Sequence, residues 1–180
     1  TYVIASSQNW NPDMADNLAR KCNARVIRIE QQSELTVDKL DKIGPDKVFI
    51  PHWSFPIDSS IYKKYECIIF HMTDLPFGRG GSPLQNLIAR GIYQTKLSAI
   101  KCRAGIDTGP VYLKKNLSLQ GSAEEIYIRA GKIILEMMVA IIETDPTPVP
   151  QTGEPVYFKR RRPEQGDIKQ LESLEQVFDY

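Results

Sequence analysis

Short apolar runs that alternate with helix signals are the feature that most limits what this chain can fold into. Four such runs lie in the first half, at Tyr2–Ser6, Ala24–Ile29, Lys47–Pro51 and Cys67–Phe70. Each has the length and the apolar content of a buried strand, and helix-forming segments separate them. Strands joined by short helical connections lie parallel, with right-handed crossovers. The sequence therefore predicts an α/β fold.

The second half of the chain adds two strand-like runs and one long helix. The runs are Lys96–Arg103 and Val111–Leu117, and two adjacent lysines in the second run predict an exposed edge of the sheet. Ser122 and Glu125 have the pattern of a capping box, which begins a helix that ends near Glu143. Apolar residues repeat along one face of this helix, which predicts packing against the core rather than a ligand site.

The stretch Cys67–Pro83 carries the strongest indication of a functional site. It places His71 at the carboxyl end of a strand, where open α/β sheets hold their ligands. A glycine-rich loop follows, and Ser82 and Pro83 have the pattern of a helix N-cap and a first helical residue. We therefore expect a ligand site where this strand, loop and helix meet.

Composition narrows the class of protein. The 180 residues are 42% hydrophobic and 25% charged, as in ordinary globular proteins, and the formal net charge is +1. This balance makes a nucleic-acid partner unexpected. Because no apolar run is long enough to span a bilayer, we expect no membrane partner. The scattered cysteines indicate thiols in a reducing compartment, so we expect a cytoplasmic protein. The cysteines at positions 22, 67 and 102 lack metal-ligand spacing, so we expect free thiols and no metal site.

Two motifs resemble the signature of the formyltransferases that use 10-formyltetrahydrofolate. The first is His71-Met-Thr-Asp-Leu-Pro76, which is followed by Arg79-Gly80 and Pro83, and the second is the turn Asp107-Thr-Gly-Pro110. A weaker match, Phe158–Glu164, is similar to a segment of sugar-nucleotide N-formyltransferases and methionyl-tRNA formyltransferases. The resemblance implies a Rossmann-like formyltransferase fold, with a mixed sheet that is parallel in its first half and helices on both faces.

The resemblance also implies a division of the chain. Residues 1–145 would form the formyltransferase catalytic domain, and residues 146–180 a proline-rich connector and a charged C-terminal extension. The weaker match contains the family's Arg-Arg-x-Pro-Glu pattern at residues 160–164. Because the chain ends soon after it, we expect no tRNA-binding C-terminal domain. The basic run Lys159–Arg162 is interpreted as a solvated surface, and a homodimer is a further expectation.

Formyl transfer to an amine needs no covalent enzyme intermediate, since the amine is itself the nucleophile. By the resemblance, His71 stabilises the developing oxyanion or passes a proton to the leaving folate nitrogen, and Asp107 orients the imidazole and takes the amine proton. The residues implied to bind the folate are Trp53, Ser54, Phe55, Pro56, Ala104, Gly105 and Ile106. The residues implied to contact the acceptor are Thr73, Arg79, Gly80, Gly81 and Ser82. The alternative for both sets is structural, as aromatic cover of the sheet edge and as glycine turns.

One position departs from the family pattern. The family has Asn-x-His, in which the asparagine helps to hold the formyl oxygen, and Ile69 occupies that position here. Loss of such a donor costs roughly 10²–10³ in rate, and Thr73 or the loop N–H groups are candidates to replace it. We expect an N-formyltransferase acting on a primary amine, with a nucleotide-linked amino sugar as acceptor. The alternatives are a catalytically impaired folate- or nucleotide-sugar-binding protein and a methionyl-tRNA formyltransferase.

Overall fold

The computed structural model describes residues 1–178, in which a six-stranded mixed sheet lies beside a two-stranded one. The strands are β1 Tyr2–Ala5, β2 Val26–Ile29, β3 Lys47–Ile50, β4 Cys67–His71, β5 Arg79–Gly80, β6 Gln94–Lys101, β7 Val111–Ser118 and β8 Tyr157–Phe158. The large sheet has the order β2-β1-β3-β4-β6-β7. Its first four strands are parallel, whereas β6 and β7 run antiparallel to their neighbours. The predicted mixed α/β sheet is confirmed; the last two residues of the predicted extension, Asp179 and Tyr180, lie outside the described residues.

Helices cover both faces of the large sheet, as predicted. They are α1 Met14–Cys22, α2 Val37–Ile43, α3 Ser59–Lys64, α4 Pro83–Ile88, α5 Ala123–Thr144 and α6 Leu174–Phe178. Ile4 and Phe49 pack with buried residues of α1, α4 and α5, whereas Val3 and Val48 pack with buried residues of α2 and α3. Successive strand residues point to opposite faces, so a sheet covered on both sides needs the continuous apolar runs seen in the sequence. Within residues 1–178, no helix combines the length with the apolar character that a bilayer crossing requires.

Local sequence sets several helix ends. Asn23 ends α1 in the left-handed conformation, with φ 47° and ψ 50°. The predicted capping box of Ser122 and Glu125 is formed at the start of α5. Ser82 also holds the predicted N-cap position of α4, but its hydroxyl accepts a hydrogen bond from the Arg161 N–H instead of capping the helix. This difference arises because a distant segment reaches α4, which the local sequence does not show.

The segment after α5, residues 145–162, returns to the sheet and is called the returning segment below. Val149 forms a bridge with Val111 of β7. Farther on, β8 pairs in parallel with β5, and Phe158 lies opposite Gly80. The Phe158 side chain is 5% exposed and belongs to the core cluster under α4 and α5. The predicted connector and extension therefore contribute to the core, and the division of the chain at residue 145 stays a prediction.

Burial keeps two of the cysteine thiols protonated. Cys22, Cys67 and Cys102 are free, as predicted. Burial raises the pKa of Cys67 to about 12 and that of Cys102 to about 11. Neither thiol is therefore a reactive thiolate at neutral pH.

A largely buried histidine follows β3. His52 has a left-handed backbone (φ 50°), and its ring packs edge-on against Tyr127, with the ring centroids 5.7 Å apart. Its Nε2 atom is buried and has no hydrogen-bond partner within the described residues. Burial lowers the pKa of His52 to about 4, because the imidazolium would lose its hydration. The folded protein holds this ring neutral at pH values where the unfolded chain protonates it.

Acid should destabilise the protein through His52. Between about pH 6.5 and about pH 4 the unfolded chain binds a proton at this residue and the folded chain does not, so stability falls by about 3 kcal/mol as the pH drops through that range. The substitution His52→Asn removes the titrating group and tolerates the left-handed backbone. Urea unfolding across this range should give a shallower pH dependence for the variant. Identical slopes would contradict the assignment.

Truncating Phe158 should show that the returning segment is part of the core. Its ring packs edge-to-face on Phe77, and the guanidinium of Arg90 lies 4.6 Å from its centroid. Phe158→Ala should lower the free energy of unfolding by about 3–5 kcal/mol in urea melts. Val149→Ala, in the same returning segment but 60% exposed, is the control and should cost no more than about 0.5 kcal/mol. Equal, small effects of both substitutions would contradict the prediction.

Candidate active site

His71 and Asp107 meet at the carboxyl end of β4. The imidazole Nδ1 lies 3.5 Å from Asp107 Oδ2, and the two side chains are 8% and 12% exposed. One residue ends β4 and the other lies in the loop between β6 and β7, so only the folded chain brings them together. The carboxylate fixes the orientation of the ring and pairs with any positive charge that the ring acquires.

The second imidazole nitrogen is held by the glycine-rich loop. Nε2 of His71 lies 2.7 Å from the carbonyl oxygen of Gly78. Since a carbonyl oxygen can only accept, we assign a hydrogen to Nε2. The neutral ring then has its lone pair on Nδ1, facing Asp107. The ring can therefore take up and release a proton at Nδ1 without turning.

The turn that carries Asp107 depends on backbone conformations that few residues permit. Asp107 has φ 51°, which aspartate tolerates better than most side chains. A Cβ atom on Gly109 would lie 1.7 Å from the Lys101 carbonyl oxygen, so only glycine fits there. The Thr108 hydroxyl donates to the Ala104 carbonyl at 2.9 Å and closes the turn. The Asp-x-Gly pattern thus has a backbone explanation as well as a chemical one.

Gly80 joins the glycine-rich loop to this turn. Its N–H donates to Asp107 Oδ2 at 2.9 Å. Its φ is +112°, and a Cβ atom would lie 2.3 Å from the Phe158 carbonyl oxygen, so only glycine permits the pairing of β5 with β8 at this point. Within the described chain, the contacts of the carboxylate to Gly80 and His71 both use Oδ2. Oδ1 is therefore the oxygen that can act as a base.

Ile69 lies on the same face of β4 as His71, because alternate strand residues share a face. The isoleucine is partly buried and packs against a small apolar cluster of Leu75, Ile100 and Val111. A branched apolar side chain thus fills the position from which the family asparagine would project. The Thr73 hydroxyl, one of the proposed replacements, is buried and donates to the Gly78 carbonyl at 3.4 Å.

The residues predicted to contact the acceptor are mostly engaged with the protein itself. The N–H groups of Gly78 and Arg79 donate to the Val156 carbonyl, and that of Gly81 donates to the Phe158 carbonyl. The Arg79 guanidinium also donates to side chains of the returning segment. The loop is therefore a rigid support for the site. Contact between these residues and an acceptor stays a prediction.

The residues predicted to bind the folate lie in two loops with exposed apolar side chains. Trp53 and Phe55 pack edge-to-face at 5.6 Å, and Phe55 is 41% exposed. Ile106 is 69% exposed. The other predicted contacts are exposed as well: Ser54, Pro56, Ala104 and Gly105. The buried Nε1 of Trp53 has no partner within residues 1–178. Exposed apolar surface beside an unpaired donor fits a planar heteroaromatic group such as a pteridine, and this binding stays a prediction.

Sequence analysis missed Gln151, which contacts both halves of the site. Its Nε2 donates to the backbone carbonyls of Asp107 and Gly109, each at 2.8 Å. Its Oε1 accepts from Arg79. Gln151 lies in a proline-rich segment without periodicity, so no local pattern marks it.

Sequence analysis also missed a cavity of about 1,080 Å³ beside the start of α4. Its apolar walls include Leu84, Ile88 and Ile126, and its polar walls include Tyr93, Arg161 and Arg162. These residues come from separate segments, which explains why no single motif indicated them. Ser82 lines the cavity and follows the glycine-rich loop, whereas His71, Gly80 and Asp107 do not line it. Nowhere in residues 1–178 do three or more His, Cys, Asp or Glu side chains form a group that could hold a metal ion.

The chain is similar in sequence to methionyl-tRNA formyltransferases. No family model matches the chain. Methionyl-tRNA formyltransferase of Rickettsia felis is 26% identical over 153 residues, which are 81% of this chain and 50% of that protein. Methionyl-tRNA formyltransferase of Thermodesulfovibrio yellowstonii is 26% identical over 171 residues, 90% of this chain and 56% of that protein. The chain thus spans about half the length of the curated relatives it matches.

Solved structures have the same fold. The structure described as methionyl-tRNA formyltransferase from Clostridium thermocellum is 45% identical, with a TM-score of 0.95 over 99% of this chain and 80% of that one. The formyltransferase PseJ from Anoxybacillus kamchatkensis, 16% identical, has a TM-score of 0.72 over 88% of this chain and 85% of that one, a likeness in fold alone. On the match to the Clostridium thermocellum structure, this chain belongs to the formyltransferase family.

Proposed function

We propose that this chain transfers a formyl group from 10-formyltetrahydrofolate to a primary amine on a nucleotide-linked sugar. The observation that carries the proposal is the buried pair of His71 and Asp107, 3.5 Å apart at the carboxyl end of β4. A neighbouring imidazole and carboxylate can move a proton, which amide formation requires. The N–H of Gly80 holds the carboxylate in place before any substrate binds.

The bound folate would supply the activated formyl carbonyl, which Trp53, Phe55 and Ile106 would hold between their two loops. Asp107 Oδ1 takes the proton that the amine loses as the new C–N bond forms. That proton passes from the Asp107 carboxyl to Nδ1 of His71, which lies 3.5 Å from Oδ2, and His71 gives it to the nitrogen that leaves, so that the pair ends in its starting protonation state. The carboxylate keeps the charged imidazole paired during the reaction.

Because the Ile69 side chain has no hydrogen-bond donor, another group has to stabilise the negative charge on the reacting oxygen. The Thr73 hydroxyl and the N–H groups of Gly78 to Gly81 already donate to protein acceptors. Once Nδ1 of His71 has received the proton, the imidazolium is the group that can oppose this charge. Its position is fixed by Gly78 and Asp107, so it does not have to reorganise as the charge develops.

The cavity beside α4 supports a small acceptor. Its volume of about 1,080 Å³ is large enough for a nucleotide-sized ligand. Aliphatic walls suit the planar base, and the exposed guanidinium of Arg162 suits a diphosphate. The net charge of +1 gives the chain little general attraction for the backbone of a nucleic acid.

Methionyl-tRNA is the second candidate acceptor. It is favoured by the 45% identity to a structure described as methionyl-tRNA formyltransferase. The exposed arginines Arg160 and Arg162 would then contact the RNA backbone. Two results would support this acceptor: tRNA binding that weakens steeply with salt, and a lower tRNA affinity after charge reversal at these arginines. Salt-insensitive turnover of a nucleotide-linked amino sugar would support the first.

Removing either member of the central pair should abolish most of the activity. His71→Ala and Asp107→Asn should each lower kcat by roughly 10²–10⁴, because proton transfer loses its donor or acceptor. The assay follows formylated product by mass spectrometry with 10-formyltetrahydrofolate and a panel of amino-sugar nucleotides. Asp41→Asn, an exposed carboxylate on α2, is the control and should retain wild-type activity. Wild-type turnover by Asp107→Asn would refute the proposed role.

Folate binding can be measured without turnover. Ile106→Asp should weaken binding of 5-formyltetrahydrofolate roughly tenfold or more, because it puts a charge on the apolar wall of the proposed slot. Isothermal titration calorimetry gives the Kd. Val149→Asp changes an apolar residue outside the slot that is also well exposed, at 60%, and should leave the Kd unchanged. Tight binding without formyl transfer to any acceptor would favour the catalytically impaired binding protein.

A further inference from the structure

The side-chain amide of Gln151 links the turn that carries Asp107 to the loop that carries Gly80. Its Nε2 donates to the Asp107 and Gly109 carbonyls, both at 2.8 Å. Its Oε1 accepts from Nη2 of Arg79 at 2.7 Å and from Nε of Arg79 at 3.1 Å. One side chain thus joins two loops that are far apart in the sequence.

The amide has a single workable orientation. A primary amide offers two N–H donors and two acceptor lone pairs, and all four are used here. Turning the amide over would place its N–H groups against the guanidinium of Arg79 and its oxygen against two carbonyls. Both arrangements are repulsive, so the contacts themselves fix the orientation. Gln151 is therefore held rigidly and can hold its partners rigidly.

These contacts also commit the guanidinium of Arg79. Its Nε and Nη2 donate to Gln151, and its Nη1 donates to the Tyr157 hydroxyl at 3.2 Å. The donor fork of Arg79 therefore points at the returning segment rather than outwards. An arginine so engaged supports the site and does not present a two-pronged anion site to an acceptor.

We propose that Gln151 is a positioning residue for the formyl transfer, and this inference rests on the proposed function. Gln151 binds the backbone of Asp107 through its Nε2 and the side chain of Arg79 through its Oε1. Arg79 precedes Gly80, and the Gly80 N–H donates to the Asp107 carboxylate. The separation of His71 and Asp107 is thereby set by a residue from the proline-rich segment. Displacing a catalytic group by about 1 Å can cost on the order of 10²-fold in rate.

The substitution Gln151→Glu separates the two halves of this link. It keeps an acceptor for Arg79 and gains a favourable charge there, but it places a carboxylate oxygen against the Asp107 and Gly109 carbonyls. The turn should be pushed away while the returning segment stays attached. We expect kcat to fall roughly 10- to 100-fold, with the KM for the folate within about threefold of wild type. Gln151→Met fills the same space without hydrogen bonds, so its kcat should be lowered as much as that of Gln151→Glu.

A second measurement does not depend on turnover. The chain has two histidines, so the imidazole ¹⁵N spectrum is simple to assign. The Nδ1 resonance of His71 should move in Gln151→Glu in the same direction as in Asp107→Asn, because both weaken the contact to the carboxylate. A merely structural role for Gln151 would leave this resonance at its wild-type position. Gln94→Glu, whose side chain contacts Ser118 on the far strand, is the matched control for both assays.

The outcomes distinguish the two proposals. If wild type forms no formylated product from any acceptor, the proposed function fails, and the ¹⁵N spectra still test the positioning role. If wild type is active and Gln151→Glu keeps its kcat and its Nδ1 resonance, the positioning role is overturned. A fall in kcat with an unmoved resonance also overturns it, since the effect then does not pass through Asp107.

Discussion

The backbone of Gly80 is the point on which the candidate site depends. Its N–H binds the Asp107 carboxylate, and the space that a Cβ atom would need is taken by the Phe158 carbonyl oxygen. The same residue therefore joins the turn of Asp107 to the glycine-rich loop, and this loop to the returning segment. Because a side chain cannot be accommodated, both ties need glycine at this position.

Most polar groups around His71 already form hydrogen bonds with other groups of the protein. The loop N–H groups, the Thr73 hydroxyl, the Ser82 hydroxyl and the Arg79 guanidinium all bond within the chain. Such groups cannot reorganise cheaply, so they fix the geometry of the few that remain open. In the proposed function, proton transfer is assigned to His71 and Asp107. Groups fixed in advance are the kind of preorganisation that makes electrostatic catalysis effective.

Sequence analysis predicted the fold well because the apolar runs and helix caps act over short distances. The mixed sheet with its parallel first half, the capping box at Ser122 and the free cysteines are confirmed. The motifs at His71 and Asp107 were also visible, since residue type and spacing are properties of the sequence. The role of Gln151 and the cavity were not, because their partners lie in segments separated by many residues. The Ser82 hydroxyl was expected to cap α4, and instead it accepts a hydrogen bond from the Arg161 N–H.

By itself, the sequence determined the six strands of the large sheet and the helices that cover them. Those features follow from side-chain polarity and from backbone preferences that act over a few residues. His71 and Asp107 were identified as a pair by the resemblance of their motifs to the formyltransferase signature. Only the tertiary structure decided that β8 pairs with β5, that Gln151 spans two loops, and that the Arg79 guanidinium donates to the returning segment. Each of these depends on two segments meeting in space. The free energy of such a meeting comes from packing and hydrogen bonds across the fold, which no single stretch of residues encodes.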